Sequence, residues 1–178
     1  MKKALILFVA ALPALAQQGF DFKILDKLGT NAKNSTNIAL DGDTLKIASN
    51  FLGDGKDSVR TLVNNLKSVY VRSFEFEKEG QYNESGLAPL RAFLKSPQWN
   101  KIVDVKDAAE TSEIYLRPLP NNQLGGLAII NAEPKEVTVV YITGVLNMSD
   151  IGKLGGNFGI PDMKFMHDDK KSANSGKN

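Results

Sequence analysis

The chain has 178 residues with one histidine and no cysteine, which removes disulfides, thiolate nucleophiles and thiolate metal sites and leaves histidine chemistry a single participant. Its formal charge is +2. Setting aside Lys2 and Lys3, which fall in the leader described next, leaves twenty basic residues against twenty acidic ones, so no broad phosphate-neutralising face is expected and nucleic acid is excluded as a partner.

The chain opens Met1-Lys2-Lys3, runs apolar from Ala4 to Leu12, and reaches Ala14-Leu15-Ala16 after Pro13. A basic start, a short apolar core and an A-x-A site make a secretory signal peptide over residues 1–16. The apolar run is less than half of the roughly twenty residues a spanning helix needs, and Gln17 stands where a lipoprotein would carry its lipidated cysteine. The expected product is therefore exported, periplasmic or secreted, with no stable membrane anchor after cleavage. Residues 17–163 are long enough for one domain, and the Asp, Lys, Ser, Asn and Gly of residues 164–178 predict a disordered polar tail.

Phe20, Ile24, Leu25 and Leu28 recur at helical spacing and predict a short amphipathic helix, ended by Gly29 and the Asn-rich stretch to Asn37. Ile38–Leu40 reads as a short strand. Leu45, Ala48, Phe51 and Leu52 mark a second helix with Asp43 as its N-cap, and Val59, Leu62, Val63 and Leu66 mark a third, capped by Asp57 or Ser58. Ser68–Lys78 is strand-like, but its apolar phase slips from Val69 and Val71 to Phe74 and Phe76. A bulge near Arg72 and Ser73 accounts for the slip, and so does a strand covered on both faces. Glu84–Lys95 reads as a helix with Leu87, Leu90, Phe93 and Leu94 inward, stopped by Ser96-Pro97.

Four β-like runs follow, Lys101–Lys106, Glu113–Arg117, Leu124–Ala132 and Val137–Thr143, with short turn-like links that include Asn121-Asn122 and Pro134. Hairpin links force antiparallel pairing, so these make a meander. Gly144 is expected to close the last strand, and Asn147 to cap a final helix bearing Met148, Ile151 and Leu154. The expected fold class is α+β: a single antiparallel-rich sheet, made of the C-terminal four-strand meander plus one or two N-terminal strands, with helices packed mainly on one face.

Candidate chemistry is sparse. His167 lies in the predicted tail, so triad and zinc chemistry lack parts, and His167-Asp168-Asp169 reads as tail. Asp41-Gly42-Asp43 and Asp54-Gly55-Lys56-Asp57 lack the ligand set of a calcium loop and read as helix-capping turns. Glu75, Glu77 and Glu79 alternate along the predicted strand and could offer a carboxylate pair, although a solvated strand face is the plainer reading. Gly125-Gly126 lacks the Lys-Ser/Thr of a phosphate loop and suits a bulge or hairpin exit, while Trp99 after Pro97 suits a corner anchor more than a ligand platform. The sequons at Asn34 and Asn83 are chance matches behind a bacterial leader.

The segments Ser96-Pro97-Gln98-Trp99-Asn100-Lys101-Ile102-Val103, Glu113-Ile114-Tyr115-Leu116, the run from Gly125 to Val140 and the closing Phe158-Gly159-Ile160-Pro161 resemble the exported bacterial family known as domain of unknown function 4252. The resemblance covers nearly all of residues 17–163. It implies a small exported protein of the kind found mainly in Bacteroidota and Acidobacteriota, and the chain resembles the acidobacterial kind. The family has no assigned activity and therefore brings no catalytic, cofactor or metal residues to this chain; proximity of its genes to sigma-factor and anti-sigma genes in some genomes implies a regulatory or envelope-stress role. The expectation is thus a non-catalytic binding or regulatory domain that needs no cofactor and meets a protein partner in the cell envelope. The alternatives are a carboxylate-dependent hydrolase of envelope material and a carrier of a small apolar ligand in a cavity between helices and sheet.

Overall fold

The computed structural model describes residues 19–50, 57–107 and 110–147. The predicted signal peptide, Phe51 and Leu52, the final helix predicted from Met148 onward, His167 and the predicted polar tail lie outside the described residues. The elements in chain order are a 3-10 helix Phe22–Gly29, β1 Asn34–Asp41, α1 Gly42–Asn50, α2 Asp57–Asn65, β2 Leu66–Glu75, a 3-10 turn Glu84–Leu87 running into α3 Ala88–Leu94, then β3 Asn100–Lys106, β4 Thr111–Leu119, β5 Gln123–Glu133 and β6 Glu136–Asn147. All six strands form one antiparallel sheet in the order β1-β2-β6-β5-β4-β3. The fold is α+β, and the predicted meander is present as β3 to β6. The last strand of that meander pairs with β2, so β6 joins the N-terminal strand pair to the rest.

Apolar side chains on both faces of the sheet are covered, by different helices. On one face Leu45 of α1 and Leu62 and Val63 of α2 pack on Val69, Ile129, Val140 and Ile142. On the other, Phe22, Leu25 and Leu28 of the first 3-10 helix, with Leu87, Leu90 and Leu94, pack on Phe74, Ile130, Val139 and Tyr141. Helices packed mainly on one face were expected, and here the structure corrects the reading: the sheet is the middle layer of three. The slip of phase in β2 has the same cause. Its register against β1 and β6 is continuous from Ser68 to Glu75, with the irregularity at Leu66–Ser68, so there is no bulge at Arg72 and Ser73. Val69 and Val71 face one layer, Tyr70 and Phe74 the other.

Local differences from the predicted elements have local reasons. The first helix is 3-10, and its three-residue repeat buries Phe22, Leu25 and Leu28 while leaving Ile24 exposed. Its side is pinned by Arg72, which donates from Nε to Asp26 Oδ1 at 2.8 Å and from Nη1 to the Ile38 carbonyl. The cap of α1 is Asp41, not Asp43: its Oδ1 accepts from the Thr44 amide at 2.8 Å, and those Thr44 hydrogen bonds hold its pKa below the usual value. Pro89, at the start of α3, brings no amide to the helical ladder, and the segment Glu84–Leu94 changes there from 3-10 to α. Asn121 and Asn122, in the three-residue connection between Leu119 and Gln123, both adopt left-handed φ, 60° and 59°, which asparagine tolerates better than most residues. Gly144 does not end β6; it carries the strand past the α2–β2 junction, where a Cβ would lie 2.4 Å from the Asn65 carbonyl oxygen.

Candidate functional site

One face of β4 presents Glu113, Tyr115 and Arg117 in succession, since alternate residues share a face. The first two belong to an ion cluster. Glu113 is 3% exposed, and its Oε1 accepts from Arg91 Nε at 2.6 Å while its Oε2 accepts from Tyr115 Oη at 2.5 Å and meets Lys101 Nζ at 2.9 Å. Arg91 also pairs with Glu84 at 2.6 Å, and Lys101 with Asp104 at 3.1 Å. Burial alone would raise the Glu113 pKa, but the hydrogen bonds from Tyr115, Lys101 and Arg91 outweigh it and hold the carboxyl below its usual range. Burial works against the charge on Lys101 too, and the same pairs reverse it, so its pKa is raised. Burial together with Glu113 raises that of the Tyr115 phenol. A carboxyl whose pKa is lowered is a weaker base than a free one, and a lysine whose pKa is raised is a weaker nucleophile. The cluster ties α3 to β3 and β4.

Two residues on, Arg117 points into a different environment. Its guanidinium lies over the Trp99 ring, 5.7 Å from the centroid, and Nη2 donates to the Gly125 carbonyl. Two glycines of β5 make this possible. A Cβ on Gly126 would lie 2.7 Å from the Trp99 ring, and one on Gly125 would lie 2.8 Å from Arg117 Nε. Gly125-Gly126 is thus a dent in the sheet that seats an indole and a guanidinium, and side-chain room adds to the bulge role expected of it. The β5–β6 register does shift between Leu124 and Gly126.

Trp99 is both a buried anchor and a wall. With Phe22, Tyr70 and Tyr141 it lines a cavity of about 290 Å³ between the first 3-10 helix, the end of α3 and the sheet. A second hollow, of about 370 Å³, shares Lys67, Gln98 and Arg117 with it. Neither lining contains an aspartate or glutamate. The rings are tightly organised: Phe22 stacks on Tyr70 at 4.5 Å and tilts against Tyr141 at 4.9 Å, and Trp99 meets Tyr141 at 5.5 Å. Tyr141 is 5% exposed. Burial raises the pKa of its phenol, with Arg117, which lines the same cavity, pulling the opposite way. On the rim, the hydroxyls of Ser68 and Thr143 hydrogen-bond each other at 2.7 Å, so one O–H of the pair remains available as a donor.

The carboxylates singled out from the sequence do not assemble. β2 ends at Glu75, which accepts from Asn34 Nδ2 at 2.7 Å, and Glu77 and Glu79 lie beyond it in the following bends. The three share no strand face and line neither hollow. Asp41 and Asp43 serve helix α1, Asp43 through an exposed pair with Lys46. Among the described residues no group of three His, Asp or Glu side chains is placed to hold a metal ion. Sequence reading overlooked Glu113 and Arg117, although opposite charges at alternate positions around Tyr115, in a strand with Ile114 and Leu116 between them, were the visible signal.

A family model for domain of unknown function 4252 matches residues 27–154. The chain belongs to that family. The matched span includes every strand of the sheet, the ion cluster of Glu113 and both glycines beneath Arg117 and Trp99, whereas Phe20 and Phe22, which line the cavity, precede it. No curated protein and no solved structure matches the chain.

Proposed function

We propose that the protein is an exported, non-catalytic binding domain that meets a protein partner in the cell envelope, with the aromatic cleft beside Arg117 as its recognition site. The observation that carries this reading is the division of labour along β4. The buried carboxylate of Glu113 is locked onto Arg91, Tyr115 and Lys101, while the concave site two residues away is walled by rings and rimmed by cations, with no carboxylate in its lining. Rings that fix shape and a few polar groups that fix orientation are the makeup of a recognition pocket. The leader at Met1–Ala16 supports the export part of the reading.

A photo-crosslinking residue placed at Lys67, on the cleft rim, and one placed at Ile47, on the outer side of α1 and 60% exposed, test the reading in living cells. A discrete adduct from position 67 and none from position 47 is the expected result. Failure to trap anything from position 67, together with hydrolysis of peptidoglycan or glycosides by the purified protein, removes it. The exported product is expected to begin at Gln17 on N-terminal sequencing; a cell-associated product still beginning at Met1 contradicts export.

A further inference from the structure

We infer that the cleft takes an aromatic carboxylate, its ring held among Phe22, Trp99 and Tyr141 and its acid group met by Arg117 and Lys67. The inference rests on the cleft being a binding site and goes further by naming the chemistry of its occupant. A cavity of about 150 Å³ is enough to hold benzene, so about 290 Å³ admits one ring with a short acid arm. Planar rings are favoured over branched aliphatic groups because the walls are themselves rings, ready to stack or to meet an edge.

The acid end is dictated by charge. Arg117 and Lys67 line both hollows, and no aspartate or glutamate lines either. Among the described residues no carboxylate pairs with Arg117; its contacts are the Gly125 carbonyl and the Trp99 face. The cation–π contact with Trp99 and the bond to Gly125 hold the guanidinium in place, so little freedom is lost when an anion meets it. Arg117 adds an independent sign of a ligand. Its Nε is buried and hydrogen-bonds no other described residue, and buried donors ordinarily find a partner. Tyr141 lines the same cavity, so a carboxylate between Arg117 and Tyr141 supplies the acceptor.

Such a ligand has two sources, a free arylalkanoic acid or the C-terminal aromatic residue of a partner protein, and they share the same chemistry. Trp99 is the only tryptophan, so emission excited at the red edge of the absorption band, where tyrosine does not absorb, reports on the cleft alone. The test titrates the intact mature protein with 3-phenylpropionate and its neutral amide, and with Gly-Gly-Phe bearing a free or an amidated C-terminus. Saturable change with an acid form, at least tenfold weaker with the matching amide, is the expected result; response to phenylpropionate alone identifies the free acid, and response to the peptide identifies a chain terminus. Arg117→Gln is expected to weaken the acid about tenfold. Lys67→Gln, at an exposed position that does not threaten folding, is expected to weaken it about threefold, and Tyr141→Phe to weaken it measurably. Equal binding of acid and amide overturns the anion while leaving a binding site in place. Absence of saturation at millimolar concentration with all four probes overturns the inference altogether.

Discussion

Glu113 concentrates more of the molecule's electrostatics than any other described residue, because three donors converge on one buried carboxylate. Glu113→Gln keeps the shape but leaves Arg91 and Lys101 without their shared counter-charge. Full burial would make that loss about 3–5 kcal/mol; Arg91 and Lys101 are a quarter to a third exposed, so water recovers part of it and about 2 kcal/mol is expected. Chemical denaturation at neutral pH measures it. The pH dependence follows from the sign of the shift. The folded-state pKa is depressed, so the contribution is present above the ordinary carboxylate range and disappears as pH falls through that range to the lower folded-state value. Melting temperature should therefore drop on acidification, and the drop should be shallower in Glu113→Gln; parallel curves for the two proteins would contradict the assignment. Gly126→Ala tests the dent beneath Trp99. The ring must move, so the emission of Trp99 should change along with a loss of about 1–3 kcal/mol from crowding.

The elements were legible where one physical pattern sufficed. The stripe of Leu62 and Val63 marked α2, the turn residues marked the meander, and Asn121-Asn122 marked a hairpin whose left-handed φ values are those asparagine tolerates best after glycine. Replacing Asn122 by glycine removes the residual left-handed cost and should stabilise the protein by about 0.5–1 kcal/mol, read as a rise in melting temperature of a few degrees. What escaped depended on tertiary neighbours. The first helix reads as α because Phe20, Ile24 and Leu28 fall four apart, but packing on the sheet selects Phe22, Leu25 and Leu28, three apart. The burial of both faces was in fact written in β5 and β6, whose Leu127-Ala128-Ile129-Ile130 and Val139-Val140-Tyr141-Ile142 are continuous rather than alternating runs. The cleft was not legible at all, since Phe22, Lys67, Trp99, Arg117 and Tyr141 come from five separate stretches of chain and meet only through strand order.

At the scale of the whole molecule the outer strands differ in character. β1 is largely polar, whereas β3 leaves Ile102 and Val105 about half exposed on a strand that pairs only with β4 among the described strands. A bulge between Lys101 and Val103 and the charges of Lys101, Asp104 and Lys106 interrupt that edge, a device that discourages sheet-to-sheet association. Val105→Lys should leave the melting temperature within about 0.5 kcal/mol of equivalent stability and lower any tendency to self-associate, as sedimentation would show. The central position of β6 has a consequence in time. The strand formed last, of those described, is the one that holds β2 to β5. A chain stopped before Glu136 therefore has two separate pieces of sheet, each with an open side, and should show no cooperative melting. The sheet is completed only after Asn147 has been synthesised, so the nascent chain cannot close it until all six strands have been made.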